Sequence, residues 1–253
     1  MKYYKSLVEL GCFSARDVSE KLALCDATAA TLLQQYQKRG YIERVRHNLY
    51  VAMSLENNQP VLSRYEIGCR LFPDACISYH SAFEVYGYAN QVYYDVYVMS
   101  NSRFKHFEYG GVNYSRVAPK GNVQTEQVGG VRVTGLEQTV IDSLDAVDRI
   151  GGLEELLRCL MLIPSLDEKK LLIALSEHDN GFLYQKTGFI FEQLRDSLTL
   201  SDDFFEVCKG HIPKADRYLT KEHDDYVYNS TWRLLGPDDL STIIDKGVDY
   251  DAI

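Results

Sequence analysis

The sequence predicts an α+β fold, with a helical N-terminal unit closed by a small β-hairpin and then a larger domain of mixed strands and helices. Three observations predict it. Within the first 40 residues, three helix-like segments carry their own start or stop signals, and a two-strand pattern follows directly. Residues 91–99 are rich in aromatic and β-branched side chains, and Gly110-Gly111 and Gly129-Gly130 each separate short β-patterned runs. From Gly152 onward the apolar spacing becomes helical.

Residues 2–10 form the first predicted helix, stopped by Gly11. Ser14, with Asp17 three residues on, is a capping-box-like start for a helix through Leu24 that places Val18 and Leu22 on one face. Asp26 is the expected cap of a third helix over 27–39, and Gly40 sits where a left-handed residue ends it. In that helix Ala29, Leu32, Leu33, Tyr36 and, at the margin, Gln37 follow the spacing of a core-facing stripe. The opposite face carries Ala27, Thr28, Ala30, Thr31, Gln34, Gln35 and Lys38. Residues 41–46 alternate as a strand, His47-Asn48 supplies a tight turn in which Asn tolerates positive φ, and 49–52 return.

Three short helices followed by a two-stranded ribbon make a winged helix-turn-helix, predicted over residues 1–56. In such a unit the last helix enters the major groove of DNA, and side chains near its start approach base edges. Ala27, Thr28, Thr31, Gln34 and Gln35 are the candidate base-facing residues. Lys38, Arg44, Arg46 and His47, with Asn48 at the wing turn, are the candidate phosphate contacts, which position rather than specify. The same pattern also suits a protein-docking winged helix, since Gln, Thr and Lys line any solvated helix face.

Charge favours the first reading locally and opposes it globally. The 253 residues carry 27 Lys+Arg against 36 Asp+Glu, a formal charge of −9, which excludes a chain that coats nucleic acid over its whole surface. Residues 1–60 hold eight bases and six acids, a net of +2, leaving −11 for residues 61–253. Four of those eight bases lie between Lys38 and Arg46. With 45% hydrophobic residues the chain has ample material for a core, so global disorder is excluded. Glu9 interrupts the apolar stretch that a signal peptide needs, and the strongest apolar run, 159–163, is far short of the roughly 20 residues that span a bilayer. Cys12, Cys25, Cys69, Cys76, Cys159 and Cys208 are scattered without a CxxC pair, which suits reduced thiols. A cytoplasmic protein is expected.

Asn57-Asn-Gln-Pro60 is the expected domain boundary, and the α+β domain is predicted over 61–253. It opens with helices over 61–71 and from a Ser78 cap to Tyr86, ended by Gly87. The strand at 91–99 and hairpins about Gly110-Gly111 and Gly129-Gly130 follow. Thr134-Gly-Leu-Glu137 reads as a capping box opening a helix through about Val147. Helices over 153–162, 167–177 and 184–194 come next, and the tail from Ser201, which holds the single Trp232, is mixed.

Catalytic chemistry is sparse. His47, His80, His106, His178, His211 and His223 form neither HxH nor HxxxH, and Cys208-x-x-His211 has no second half. Cys76 and His80 straddle the Ser78 cap without an orienting third group. GxSxG, P-loop and GxGxxG are absent, so no cofactor is expected. Asp142, Asp145 and Asp148 read as a solvated helix face, and Asp167-Glu-Lys-Lys170 as the charged first turn of a helix.

Five segments in order carry a resemblance: Lys38-Arg-Gly-Tyr-Ile-Glu-Arg-Val-Arg-His-Asn-Leu-Tyr-Val51, Ile77-Ser-Tyr-His-Ser-Ala-Phe-Glu-Val-Tyr-Gly-Tyr88, Val131-Arg-Val-Thr-Gly-Leu-Glu-Gln-Thr-Val-Ile-Asp142, Gly151-Gly-Leu-Glu-Glu-Leu-Leu-Arg158 and Tyr228-Asn-Ser-Thr-Trp-Arg-Leu-Leu235. Together they look like the AbiEi family, the abortive-infection antitoxins of type IV toxin–antitoxin systems. The resemblance implies a winged-helix autorepressor, without catalysis of its own, that binds double-stranded operator DNA at inverted repeats, where a dimer would fit. It also implies a C-terminal domain that counters a nucleotidyltransferase-like toxin, with no need for direct contact. Two other readings stand beside it. One is a divergent nuclease-like enzyme using Asp95 and Glu137; the other is an orphan ligand-responsive winged-helix regulator.

Overall fold

The computed structural model describes residues 2–221 and 226–246 and is α+β; His223 lies outside the described residues. The chain forms two compact units. The first comprises Met1–Ile77, Tyr93–Ala118 and Gly129–Arg132; the second comprises Ser78–Val92, Pro119–Val128 and Val133–Ile253.

The first unit opens with α1 (Tyr4–Leu10), which ends at Gly11 with φ 70°. A Cβ there would come within 2.9 Å of Leu62, so only glycine meets both the backbone and the space. A short strand, β1 (Cys12–Phe13), follows that the sequence pattern was too brief to announce. Before α2 (Ala15–Leu22), the Ser14 hydroxyl accepts from the Asp17 amide at 3.3 Å and the Asp17 carboxylate accepts from the Ser14 amide at 2.7 Å, the expected capping box. The cap of α3 (Asp26–Lys38) is Cys25, not Asp26. Asp26 lies in the first turn, where its charge meets the positive end of the helix and its carboxylate accepts from the Ser19 hydroxyl at 3.0 Å.

After Gly40, β2 (Ile42–Arg46) and β3 (Leu49–Ala52) form the hairpin, with Asn48 at φ 54°. Strand β1 pairs with β3, giving the order β1-β3-β2. Three helices and a three-stranded sheet in this sequence are the winged-helix arrangement. Leu7, Phe13, Val18, Ala29, Leu33, Tyr36, Ile42 and Ala52 make its core. The buried stripe of α3 is narrower than expected: Leu32 is half-buried and Gln37 exposed.

The polar segment at 57–60 is a closed loop rather than a linker. The Ser54 amide donates to Gln59 at 2.8 Å, Met53 bridges to Pro60, and the Val61 amide donates to Ala52 at 2.9 Å. The first unit therefore continues past the expected boundary into α4 (Arg64–Cys69), capped by a Ser63–Glu66 box, and β4 (Cys76–Ile77). After α5 (His80–Tyr86) in the second unit, β5 (Asp95–Met99), β6 (Phe107–Tyr109) and β7 (Val112–Val117) return to it. Strand β5 runs parallel to β7, and β6 pairs antiparallel with β7, as β4 does with β5.

Strand β8 (Thr125–Val128) belongs to the second unit, and β9 (Val131–Thr134) begins in the first unit and ends in the second. Helix α6 (Leu136–Asp145) has every residue from 137 to 144 buried and forms the centre of the unit. Its cap is Gly135, so Thr134 and Glu137 do not form the expected box. The Thr134 hydroxyl meets that of Thr139 at 2.7 Å, while Glu137 Oε1 accepts from the Asp167 amide at 2.9 Å. The helix stops at Asp145, and a 3-10 turn occupies Val147–Ile150. Against α6 lie α7 (Leu153–Leu162), α8 (Glu168–His178) and α9 (Gly181–Gln193), and α10 (Arg195–Leu198) and α11 (Asp202–Gly210) pack on α9. A small sheet of β10 (Arg217–Tyr218), β11 (Val227–Asn229) and β12 (Leu234–Gly236), in the order β10-β12-β11, precedes α12 (Ser241–Lys246). Helix α5 is capped by Tyr79, at φ 54°, rather than Ser78. Among the described residues, no helix is long and apolar enough to cross a membrane.

Candidate nucleic-acid interface

Helix α3 turns Ala29, Leu33 and Tyr36 inward, which leaves Ala27, Thr28, Ala30, Thr31, Gln34, Gln35 and Lys38 exposed, as the 3.6-residue period requires. Ala27, Thr28, Thr31, Leu32 and Gln35 line an open depression along this face. The Thr31 hydroxyl donates to the Ala27 carbonyl at 2.9 Å, and Thr28 Oγ1 lies 3.1 Å from the Cys25 thiol. Both hydroxyl oxygens keep lone pairs for a further donor. Small side chains at 27, 28, 30 and 31 let the helix backbone approach a groove closely, while Gln34 and Gln35 extend amides that both donate and accept. Arg39, exposed at the C-cap, adds a cation beside Lys38 that the sequence reading did not assign. Leu32 is the other addition: with its half-buried side chain on the rim, it offers an apolar surface of the kind that meets a thymine methyl.

At the wing the expected set divides. Arg44 and His47 are exposed. Arg46 is not available as a phosphate contact, because its guanidinium donates to the Leu71 carbonyl at 3.1 Å and lies over the Phe72 and Phe104 rings at 4.8 and 5.8 Å. Asn48 is likewise committed, since Oδ1 accepts from the Ala15 amide at 3.2 Å and ties the hairpin turn to the start of α2. Both residues stand where alternation and turn chemistry put them. The contacts that occupy them come from residues remote in sequence. Glu43, on the same strand, accepts from the Tyr109 hydroxyl at 2.8 Å.

The residues considered for catalysis fall in different units or have structural partners of their own. Asp95 belongs to the first unit and Glu137 to the second, and Glu137 already holds the first turn of α8. Cys76 and His80 also belong to different units. Cys208 is fully buried, whereas the His211 ring is bonded to the Val207 carbonyl and stacked on Tyr184. Asp142 is not on a solvated face: it is 2% exposed, accepts from Gln138 at 2.8 Å and pairs with His178 at 2.8 Å. Asp145 pairs with Lys120, and that cation holds its carboxyl below the usual range against the opposing effect of burial.

One buried cluster has metal-ligand chemistry. The ligand atoms of His80, Glu155 and Cys159 lie within 4.8 Å of one another. The imidazole sits between two carboxylates, Nε2 at 3.0 Å from Glu155 and Nδ1 at 3.3 Å from Glu84. Glu155 also accepts from the Asn90 and Gln91 amides, each at 3.1 Å. Burial, with the Glu155 charge beside it, pushes the Cys159 thiol up. This ion-pair network fastens α5 and the following loop to α7.

No protein-family model matches the chain, and no curated protein does. Among solved structures, the Rv2827c protein from Mycobacterium tuberculosis is similar in fold, with a TM-score of 0.65 and 11% sequence identity over 97% of this chain and 94% of that one.

Proposed function

We propose that this chain is a DNA-binding repressor that acts without catalysis, and that it serves in the cytoplasm as the antitoxin of a type IV toxin–antitoxin pair. The observation that carries the DNA reading is the exposed face of α3. Small and amide side chains fill it inside a winged-helix frame, with Lys38 and Arg39 at its C-terminal end and no acid from 27 to 39. Thr28, Thr31, Gln34 and Gln35 would meet base edges, and Lys38, Arg39 and Arg44 phosphates. The antitoxin assignment rests on the sequence segments that resemble the AbiEi family. On that reading the functional partners are operator DNA with inverted repeats, bound by two copies, and a nucleotidyltransferase-like toxin.

A gel-shift with the DNA upstream of the gene tests the repressor. Retarded duplex that is competed by itself and not by a scrambled duplex supports it, and equal binding to both removes it. Co-expression with a neighbouring nucleotidyltransferase-like gene tests the antitoxin. Growth restored by this chain supports that part, and unrelieved toxicity removes it.

A further inference from the structure

We infer that the loop joining β5 to β6 is a second element that grips the DNA backbone, with Arg103 and Lys105 as its phosphate contacts beside the wing. The inference rests on the proposal that the first unit binds DNA.

The charge of the molecule divides more sharply by compact unit than by position along the chain. The first unit holds 14 Lys+Arg against 10 Asp+Glu, a net of +4, and the second holds 13 against 26, a net of −13. The added positive charge lies beyond the winged helix, and the loop Asn101-Ser-Arg-Phe-Lys-His106 supplies part of it without a single acid. Arg103, Lys105 and His106 are exposed, and neither Arg103 nor Lys105 has an ionic or hydrogen-bonding partner among the described residues.

The intervening Phe104 explains why the cations face solvent. Its ring packs 5.9 Å from Phe72 and 6.0 Å from Phe107, on the shelf where the Arg46 guanidinium also lies. In extended chain alternate side chains point to opposite sides, so seating Phe104 on this shelf presents 103 and 105 outward. Arg46 belongs to β2, and the shelf therefore places the loop next to the wing. The Tyr109–Glu43 hydrogen bond fixes the same neighbourhood from the far end of β6.

The loop is also preorganised. Arg116 donates to the Ser102 carbonyl at 2.8 Å and the Asn101 carbonyl at 3.3 Å, while Asp74 accepts from the Asn101 amide at 2.7 Å. Two cations held on a braced backbone lose little freedom when they meet phosphates.

The test uses the full chain and a duplex of its own upstream sequence, with Kd measured by fluorescence anisotropy across a salt series. Neutralising three phosphates through Lys38, Arg39 and Arg44 gives a slope of log K on log salt near about −2.7, and five phosphates gives about −4.5. R103A/K105A should thus flatten the slope by about 1.8, so that raising salt fourfold costs about tenfold less affinity than in wild type. It should weaken scrambled DNA by the same factor as operator, and R103K/K105R should restore the slope. Both side chains are exposed, so an unchanged melting temperature checks the fold. If wild type binds DNA and R103A/K105A keeps its slope and affinity, the loop contact is overturned while DNA binding stands. If wild type binds no DNA at all, the reading beneath the inference fails and takes the inference with it. Loss of binding to polyglutamate in R103A/K105A, with DNA binding intact, would make the loop an acidic-protein contact and overturn the DNA contact.

Discussion

The Arg46 guanidinium lies 4.8 Å from the centre of the Phe72 ring and donates to the neighbouring Leu71 carbonyl at 3.1 Å. A residue at the tip of a wing, where a DNA-binding protein would expose its charge, is here a structural bolt. Arg46→Ala should cost about 1–2 kcal/mol through the lost cation–π contact and the unpaired carbonyl, lowering the melting temperature by about 2–8 °C. Arg44→Ala, on an exposed side chain, should leave the melting temperature unchanged and weaken DNA binding instead. Thermal denaturation of the two variants side by side separates the roles; equal stability would return Arg46 to the phosphate set.

The depression along α3 makes a prediction about specificity. Thr31→Ala and Gln35→Ala should each remove about 1–3 kcal/mol of discrimination between operator and scrambled duplex, with little change in the salt slope, because base-edge contacts release no counterions. Competition titrations at fixed salt measure it. A uniform loss on both duplexes would place α3 against the backbone and not the bases.

Trp232 fills the space beside α9 completely. A Cβ on Gly188 would come within 1.9 Å of the indole, whose Nε1 donates to Glu192 at 2.6 Å. Gly188→Ala must push the indole off both its seat and its hydrogen bond, and should destabilise the chain by about 2–4 kcal/mol. Urea unfolding followed by tryptophan fluorescence reads this directly, since the sequence contains one Trp. A wild-type midpoint in G188A would refute the packing argument.

The His80–Glu155 pair predicts a pH window. Burial disfavours the charged imidazole, but hydrogen bonds to Glu155 and Glu84 outweigh it and hold the His80 pKa above its ordinary 6.5. Burial likewise opposes the Glu155 charge, yet bonds from His80, Gln91 and Asn90 hold its pKa below 4.5. A raised histidine stabilises below its ordinary pKa and loses that contribution as pH rises through the folded value. A lowered carboxyl stabilises above its ordinary pKa and loses that contribution as pH falls through the folded value. The pair should therefore contribute fully between about pH 4.5 and 6.5. Melting temperature should decline above that range in wild type and decline less in E155Q; parallel alkaline limbs would remove the pair as the cause.

Most of the first unit's local structure was legible in the sequence, because its signals are local. Ser14 with Asp17, Gly11 and the Asn48 turn act over four residues or fewer and form as expected, while of the 29/32/33/36/37 stripe only Ala29, Leu33 and Tyr36 are fully buried. What escaped depends on partners far along the chain. Asp26 and Cys25 differ by one position at the head of α3, and the Ser19 hydroxyl draws Asp26 into the first turn. Glu137 accepts from the amide of Asp167, the cap residue of α8, across 30 residues instead of serving its own helix. Asp142 looks solvated on a three-residue period, yet His178 comes to it from 36 residues away. The candidate site divides the same way: the exposed face of α3 follows from helical period alone, while the fate of Arg46 depends on Phe72 and Phe104, which no pattern within the wing could reveal.

The first unit is assembled from three separate stretches, and the chain passes between the units five times. Its last stretch ends at Arg132, so a ribosome must release more than half of the 253 residues before that unit can close. Until residues 93–118 emerge, Arg46 has Phe72 and the Leu71 carbonyl but lacks Phe104, and a nascent chain paused earlier would hold the wing tip on half of its aromatic shelf. A unit built this way is completed late in synthesis, and the first 60 residues alone are not a cassette that recombination could move intact.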